Sequence, residues 1–215
     1  MAQDCCSKKS DTLAQLAAKK DQRRVLIIVM IVNLVMFVAE FSGGVVARSS
    51  ALMADSVDML GDAFVYALSL YALHRGPRWE TGAAIAKGVI ILLFGVAVIV
   101  EIADKIVNGV PPSSGLMMAV GSAALAANLI CLALLWRFRT LNVNMSSTFE
   151  CSRNDVASNV GVLIAAGLVS ATGAGWPDIA IGAIIALIFL RSAWHVLAEA
   201  IPAWREARAF SRHGG

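Results

Sequence analysis

Two pairs of ionisable side chains, each spaced four residues apart, carry the chemistry this sequence offers: Asp58 with Asp62, and Cys151 with Asp155. On a helix, residues four apart project from one stripe, one above the other. Asp55 lies three before Asp58 on the same stripe, and Asn159 extends the other stripe by a turn. Packed face to face, the two stripes would present three carboxylates and one thiol to a common point. Four such ligands suit a tetrahedral ion such as zinc. The thiolate tilts preference toward softer ions and away from magnesium or calcium, which want all-oxygen shells. All four groups also titrate, and acids crowded in a low dielectric take protons back when no metal is present. Metal binding then releases protons, which is the physical requirement for antiport.

The elements that must position these residues are long and apolar. The chain of 215 residues is 58% hydrophobic and only 15% charged, with a mean hydropathy of +0.72. A soluble domain carries about a quarter charged residues, so a bilayer is the simpler solvent. Six segments reach the roughly 20 residues that a helix needs to cross hydrocarbon: 25–47, 52–73, 84–107, 116–136, 147–172 and 177–198. Turn chemistry separates them at Arg48-Ser49-Ser50, Arg75-Gly76-Pro77, Pro111-Pro112-Ser113-Ser114, Asn142 to Ser147, and Gly173 to Pro177. Pro177 sits in a helix's first turn, where proline is tolerated. Backbone groups in lipid must be satisfied within the segment, so the expected class is all-α: a polytopic bundle of six transmembrane helices.

Orientation follows from the basic residues. Fifteen of the 18 Lys and Arg fall on one side, including Lys8, Lys9, Lys19, Lys20, Arg23 and Arg24 before the first span. Arg48 and Lys105 fall on the other, and Arg153 lies inside the fifth. By the positive-inside rule both termini are cytoplasmic. The expected organisation is a cytoplasmic tail over 1–24, a membrane domain over 25–199 and a short cytoplasmic tail over 200–215. The cysteines, two of them adjacent at Cys5 and Cys6, form no secreted disulfide framework. The polar, basic N-terminus is not a cleavable signal.

Acids at membrane depth need a counter-charge. The spans enclose Glu40, Asp55, Asp58, Asp62, Glu101, Glu150 and Asp155, against which only Arg153 is placed deep. Each Asp near a helix centre costs about 2.5–3.5 kcal/mol, while an apolar residue returns only about 0.3–0.6. The second span keeps its acids only if they face the bundle interior, hold protons or hold a cation. A single such Asp is as readily explained as an interhelical hydrogen-bonding group; two matched pairs on two spans favour a cation.

At these residues the sequence resembles the cation diffusion facilitator family. Residues Ser49 to Asp62, SSALMADSVDMLGD, look like its second-helix signature, and Cys151 to Val162, CSRNDVASNVGV, like its fifth-helix signature. Asn33, Phe37 and Glu40 in the first span and Trp176-Pro177-Asp178-Ile179 opening the sixth also fit. The resemblance covers about residues 25–200. It implies that Asp58, Asp62, Cys151 and Asp155 are the transport-site ligands. It further implies export of zinc, cadmium or a related ion from the cytoplasm by proton antiport, usually by a homodimer. Cys151 stands where zinc-selective members typically carry His, which admits cadmium, mercury or another soft ion. The chain ends soon after the sixth span, where typical members continue into a cytoplasmic metal-binding domain, so dimerisation is expected to rest on membrane contacts.

No prosthetic group and no nucleic-acid partner are expected; the partners are lipid, a divalent cation and protons, and the expected location is a bacterial inner membrane. Cys5 and Cys6 either capture a soft metal or are incidental thiols. Asp55 is read as a relay or as a cap of the second span, Glu40 and Glu101 as exit-vestibule or interhelical groups, and Asn128 and Cys131 as packing and hydrogen-bonding residues. Arg153 is expected against Glu150 or Glu101, or toward the cytoplasmic mouth. Trp79, Trp136, Trp176 and Trp194 sit where aromatic belts do, and His74, His195 and His213 read as interfacial. A sensor or adaptor that binds the ion without moving it is the competing function. An intramembrane enzyme lacks any Ser–His, Cys–His or HExxH arrangement.

Overall fold

The computed structural model describes residues 2–71, 77–140 and 143–213, and every regular element in them is a helix. Six follow in order: α1 (Ala2–Ala47), α2 (Ser50–Tyr71), α3 (Pro77–Asn108), α4 (Ser114–Trp136), α5 (Val143–Thr172) and α6 (Trp176–His213). Each expected span falls on one of them. Arg75, Gly76, Asn142 and His74 lie outside the described residues, as do residues 72–73 of the second span. So do the side chains of Cys5, Cys6, Lys8, Lys9, Lys19, Arg78, Trp79, Lys87, Arg205, Arg208, Arg212 and His213.

The expected tails are not set off by any break in the backbone. Residues 2–24 continue α1 as one helix, because they are rich in Ala, Leu, Lys and Gln and contain neither Gly nor Pro. Likewise α6 runs past residue 199 and through Pro202 to His213. Among the described residues, four stretches are long and apolar enough to cross a membrane: Lys20–Ala47, Ser114–Trp136, Thr148–Thr172 and Trp176–Pro202. The other two helices carry acids within their apolar runs, Asp55, Asp58 and Asp62 in α2 and Glu101 and Asp104 in α3. Large apolar side chains face outward along the bundle, among them Val35, Val46, Leu93, Val100, Ile130 and Leu187, each at least 60% exposed. Water does not tolerate so continuous an apolar exterior. The chain is an all-α, multi-pass membrane protein. Trp136, Trp176 and Trp194 lie exposed toward the ends of the apolar stretches.

The helix that carries the acids is the best enclosed. α2 packs against α1, α3, α5 and α6, and from Ser50 to Ala63 every residue is buried except the half-buried Asp58. Two glycines permit that closeness. A Cβ on Gly182 of α6 would lie 2.8 Å from the Ser50 carbonyl carbon and 2.9 Å from the Ala51 nitrogen, both backbone atoms. A Cβ on Gly44 of α1 would meet Met53 Cγ at 2.7 Å. One apolar core, including Leu52, Val57, Val98, Met117, Val162 and Ile185, fills the end of the bundle at the α1–α2 turn. A second, including Leu26, Val29, Tyr66, Leu135, Met145 and Phe149, fills the end carrying both termini.

The α1–α2 turn is a two-residue reversal. Arg48 takes a left-handed φ of 52°, its N–H donates to the Val45 carbonyl at 3.2 Å, and the Ser49 N–H donates to the Gly44 carbonyl at 2.8 Å. This paired pattern satisfies the last carbonyls of α1. Ser49 then caps α2, its Oγ accepting the Leu52 N–H at 3.1 Å. The remaining exposed amides of that first turn are met from another helix. Asp178, at the start of α6, accepts the Ser50 N–H on Oδ2 at 2.8 Å and the Ala51 N–H on Oδ1 at 3.1 Å. Its Oδ1 also accepts the Ser49 hydroxyl at 2.6 Å. Lys105, from the last turn of α3, donates to Asp178 Oδ2 at 3.1 Å and to Ser50 Oγ at 2.7 Å. One buried carboxylate thus joins the ends of three helices.

Candidate metal site

Four-residue spacing on α2 and on α5 brings the acids together between those helices. Carboxylate oxygens of Asp58, Asp62 and Asp155 all lie within 4.8 Å of one another. Asp62 and Asp155 are buried and Asp58 half-buried. At 4.8 Å two ionised carboxylates repel by about 3.5 kcal/mol for an effective dielectric of about 20, so three cannot stand together without a positive partner or protons. Both oxygens of Asp155 are buried and meet no hydrogen-bond donor. A buried carboxylate without a donor is set up to receive a cation or a proton.

The three acids open onto a cavity of about 460 Å³. Asp58, Gly61 and Asp62 of α2 and Cys151, Asn154, Asp155 and Ser158 of α5 supply its polar wall. Ile91 of α3 and Ile185, Ile188 and Phe189 of α6 supply the apolar one. The volume admits a cation with part of its water shell. Toward the α1–α2 turn the space is closed by the core around Leu52, Ala54 and Val57, none more than 1% exposed. Cys151 lines the same cavity and is half-buried. Its sulfur stands outside the set of mutually close carboxylate oxygens.

The remaining sequence-selected residues divide. Asp55 does not cap α2, which Ser49 and Asp178 do; it accepts a hydrogen bond from Asn159 instead. Asn128 of α4 donates to Asn159 Oδ1 at 2.9 Å, tying α4 to α5, and Cys131 is buried in the core near the termini. Glu40 is fully buried and lines no vestibule. Glu101 borders a second cavity of about 430 Å³ with Arg48, Asp104, Lys105 and Asn108. Arg153 pairs with Glu150 at 2.5 Å on the exposed face of α5.

Two features escaped the sequence reading. Tyr66, four residues beyond Asp62, donates its hydroxyl to Asp62 Oδ2 at 2.8 Å and fixes that carboxylate's orientation. The signal was present, since Tyr66 continues the 58–62 spacing by one more step. The Asp178–Lys105 junction had no such local signal, because its partners lie 73 residues apart in sequence.

The model of the cation efflux transmembrane domain matches residues 26–203. The chain is similar to the zinc transporter ZitB of Escherichia coli, with 29% identity over 175 residues, covering 75% of this chain and 56% of that protein. It is similar to the metal cation efflux system protein CzcD of Cupriavidus metallidurans, with 32% identity over 187 residues, 77% of this chain and 58% of that one. It is also similar to a cadmium, cobalt and zinc/H(+)-K(+) antiporter of Bacillus subtilis, with 25% identity over 193 residues, 83% of this chain and 62% of that one. The chain spans little more than half the length of these relatives. A match across most of its own length, in the helices that carry the paired acids, places the chain in the cation efflux family.

Proposed function

We propose that the chain exports a divalent transition-metal cation, zinc or cadmium, from the cytoplasm in exchange for protons, with Asp58, Asp62, Cys151 and Asp155 as its ligands. The observation that carries this reading is the set of three carboxylates within 4.8 Å of one another on the wall of a polar-lined cavity. The names of the similar proteins, zinc transporter and cadmium, cobalt and zinc antiporter among them, agree in cargo class. The cation enters from the cavity, displaces protons from the acids, and gains the Cys151 thiolate by a side-chain rotation toward the carboxylates. Protons returning to the emptied acids restore the starting state. With both termini cytoplasmic, the cavity lies on the cytoplasmic side of the packed core around Leu52 and Val57, as loading from that side requires. The organisation is a membrane domain over 25–199 flanked by cytoplasmic segments, acting as a homodimer in a bacterial inner membrane.

Flux tests the reading. In proteoliposomes with an imposed pH gradient and an internal dye, zinc or cadmium uptake is expected from the parent chain and lost in Asp58→Ala and Asp155→Ala. Uptake that persists in either variant removes the site. Binding without flux replaces the transporter with a sensor.

A further inference from the structure

The end of the bundle at the α1–α2 turn holds a charged cavity that the metal site does not use. Its volume of about 430 Å³ falls within the range of about 300–1,000 Å³ typical of small-molecule sites. Arg48 borders it from the turn, Val45 from α1, and Glu101, Asp104, Lys105 and Asn108 from the last two turns of α3. These charges are unevenly engaged. Lys105 gives its ammonium to Asp178 at 3.1 Å and to Ser50 at 2.7 Å, with Glu101 farther off at 3.9 Å. Asp104 accepts the neutral Asn108 amide at 2.6 Å. Among the described residues Arg48 forms no ion pair, so neither acid closes on it. Opposite charges border one space without meeting.

A ligand that answers both sides carries a cation toward Glu101 and Asp104 and an anion toward Arg48. α3 also ends here, and the negative pole of a helix C-terminus favours the cation on that same side. Carboxylates accept hydrogen bonds from N–H groups, and no aromatic ring is among the described residues lining the cavity. The cation is therefore a primary ammonium rather than a trimethylammonium, which prefers aromatic faces. Arg48 offers the donor fork that suits a phosphate. A bare divalent ion fits less well. It would meet the Lys105 ammonium beside Glu101 and leave Arg48 unanswered.

The surface beneath the cavity identifies the source of this zwitterion. The apolar stretch Lys20–Ala47 ends directly before Arg48, which places Arg48 where hydrocarbon gives way to headgroups. Two helix turns down, Phe37 and Phe41 of α1 close on Phe94 of α3, with ring centroids 5.7 and 5.5 Å apart. The same helices expose apolar side chains at these levels, Val38 and Val45 on α1 and Leu93 and Val100 on α3. A zwitterion with acyl chains meets charge above and an apolar wall below. A soluble one covers only the upper part.

We propose that this cavity binds the headgroup of phosphatidylethanolamine, with the phosphate at Arg48 and the ammonium at Glu101 and Asp104. The site is separate from the cargo acids, and its test does not depend on transport. The full chain is stripped of lipid in detergent and equilibrated with phosphatidylethanolamine, phosphatidylcholine or phosphatidylglycerol of matched acyl chains. Retained lipid is read by native mass spectrometry. Phosphatidylethanolamine is expected to exceed either other lipid by about tenfold, the scale of one charge-assisted hydrogen bond. It alone is expected to raise the melting temperature of the parent chain.

Two variants locate the site. Arg48→Asn, whose side chain tolerates the left-handed φ of 52° at this turn, should weaken phosphatidylethanolamine and phosphatidylcholine alike. Glu101→Gln/Asp104→Asn should remove the difference between those two lipids. Equal retention of the two by the parent chain overturns the proposal without any variant. A preference that survives in both variants puts the lipid elsewhere and overturns the site. Soluble phosphoethanolamine that displaces the lipid at equal concentration shows that the acyl chains add nothing, and overturns the lipid as occupant.

Discussion

Replacing Asp178 by Asn keeps the side chain's shape and removes its charge from a junction that four donors share: the Ser49 hydroxyl, the Ser50 and Ala51 amides and the Lys105 ammonium. The amide oxygen still serves two of them, while its NH₂ faces the other two. Lys105, only 7% exposed, loses its close buried anion and keeps only the partly exposed Glu101 at 3.9 Å. Breaking a buried pair from one side costs about 3–5 kcal/mol. At about 2–4 °C per kcal/mol for a chain of this length, the melting temperature in detergent should fall by roughly 6–20 °C. Lys105→Met should also destabilise, because Asp178 then keeps its charge alone. The double variant Lys105→Met/Asp178→Asn should lose less than the two single losses added, since no unpaired buried charge remains. A single Asp178→Asn within about 1 kcal/mol of the parent, or strict additivity in the double variant, would refute the assignment of this contact as a stabilising junction.

Tyr66→Phe removes the donor that orients Asp62 and should weaken zinc binding by about tenfold or more, measured by calorimetry; unchanged affinity would detach Asp62 from the ligand set. Cys151→His should shift competition flux toward zinc over cadmium, because imidazole is the harder ligand, and a constant ratio argues that the thiol never reaches the ion. Gly182→Ala forces α6 away from the Ser50–Ala51 backbone and should cost about 1–3 kcal/mol of stability, with an unaltered melting temperature showing that the approach is looser than the geometry indicates.

Local pattern revealed what local pattern encodes. Apolar runs marked six helices, and four-residue spacing marked Asp58, Asp62 and Asp155, because both signals reside in neighbouring residues. Lengths of the terminal helices were harder. Residues 2–24 are polar enough to read as a tail, yet their backbone propensity is strongly helical and no breaker interrupts it before α1 reaches the apolar stretch. What joins residues far apart in sequence could not be read at all. Asp178 meeting Lys105 and the start of α2 depends on how three helix ends converge. The Cys151 sulfur standing apart from the carboxylates is a matter of side-chain direction, which spacing does not carry.

The enclosure of α2 bears on how the protein is made. This helix emerges from the ribosome directly after α1, well before α5 and α6 exist to face its acids. With each of Asp55, Asp58 and Asp62 opposing entry into lipid by about 2.5–3.5 kcal/mol at full depth, it does not partition alone. α1 is already present, joined through only Arg48 and Ser49 and shaped at Gly44 to accept it closely. The unit delivered to the bilayer is therefore a helical hairpin of α1 and α2, and a nascent chain that loosens that hairpin should be discarded before α4 is translated.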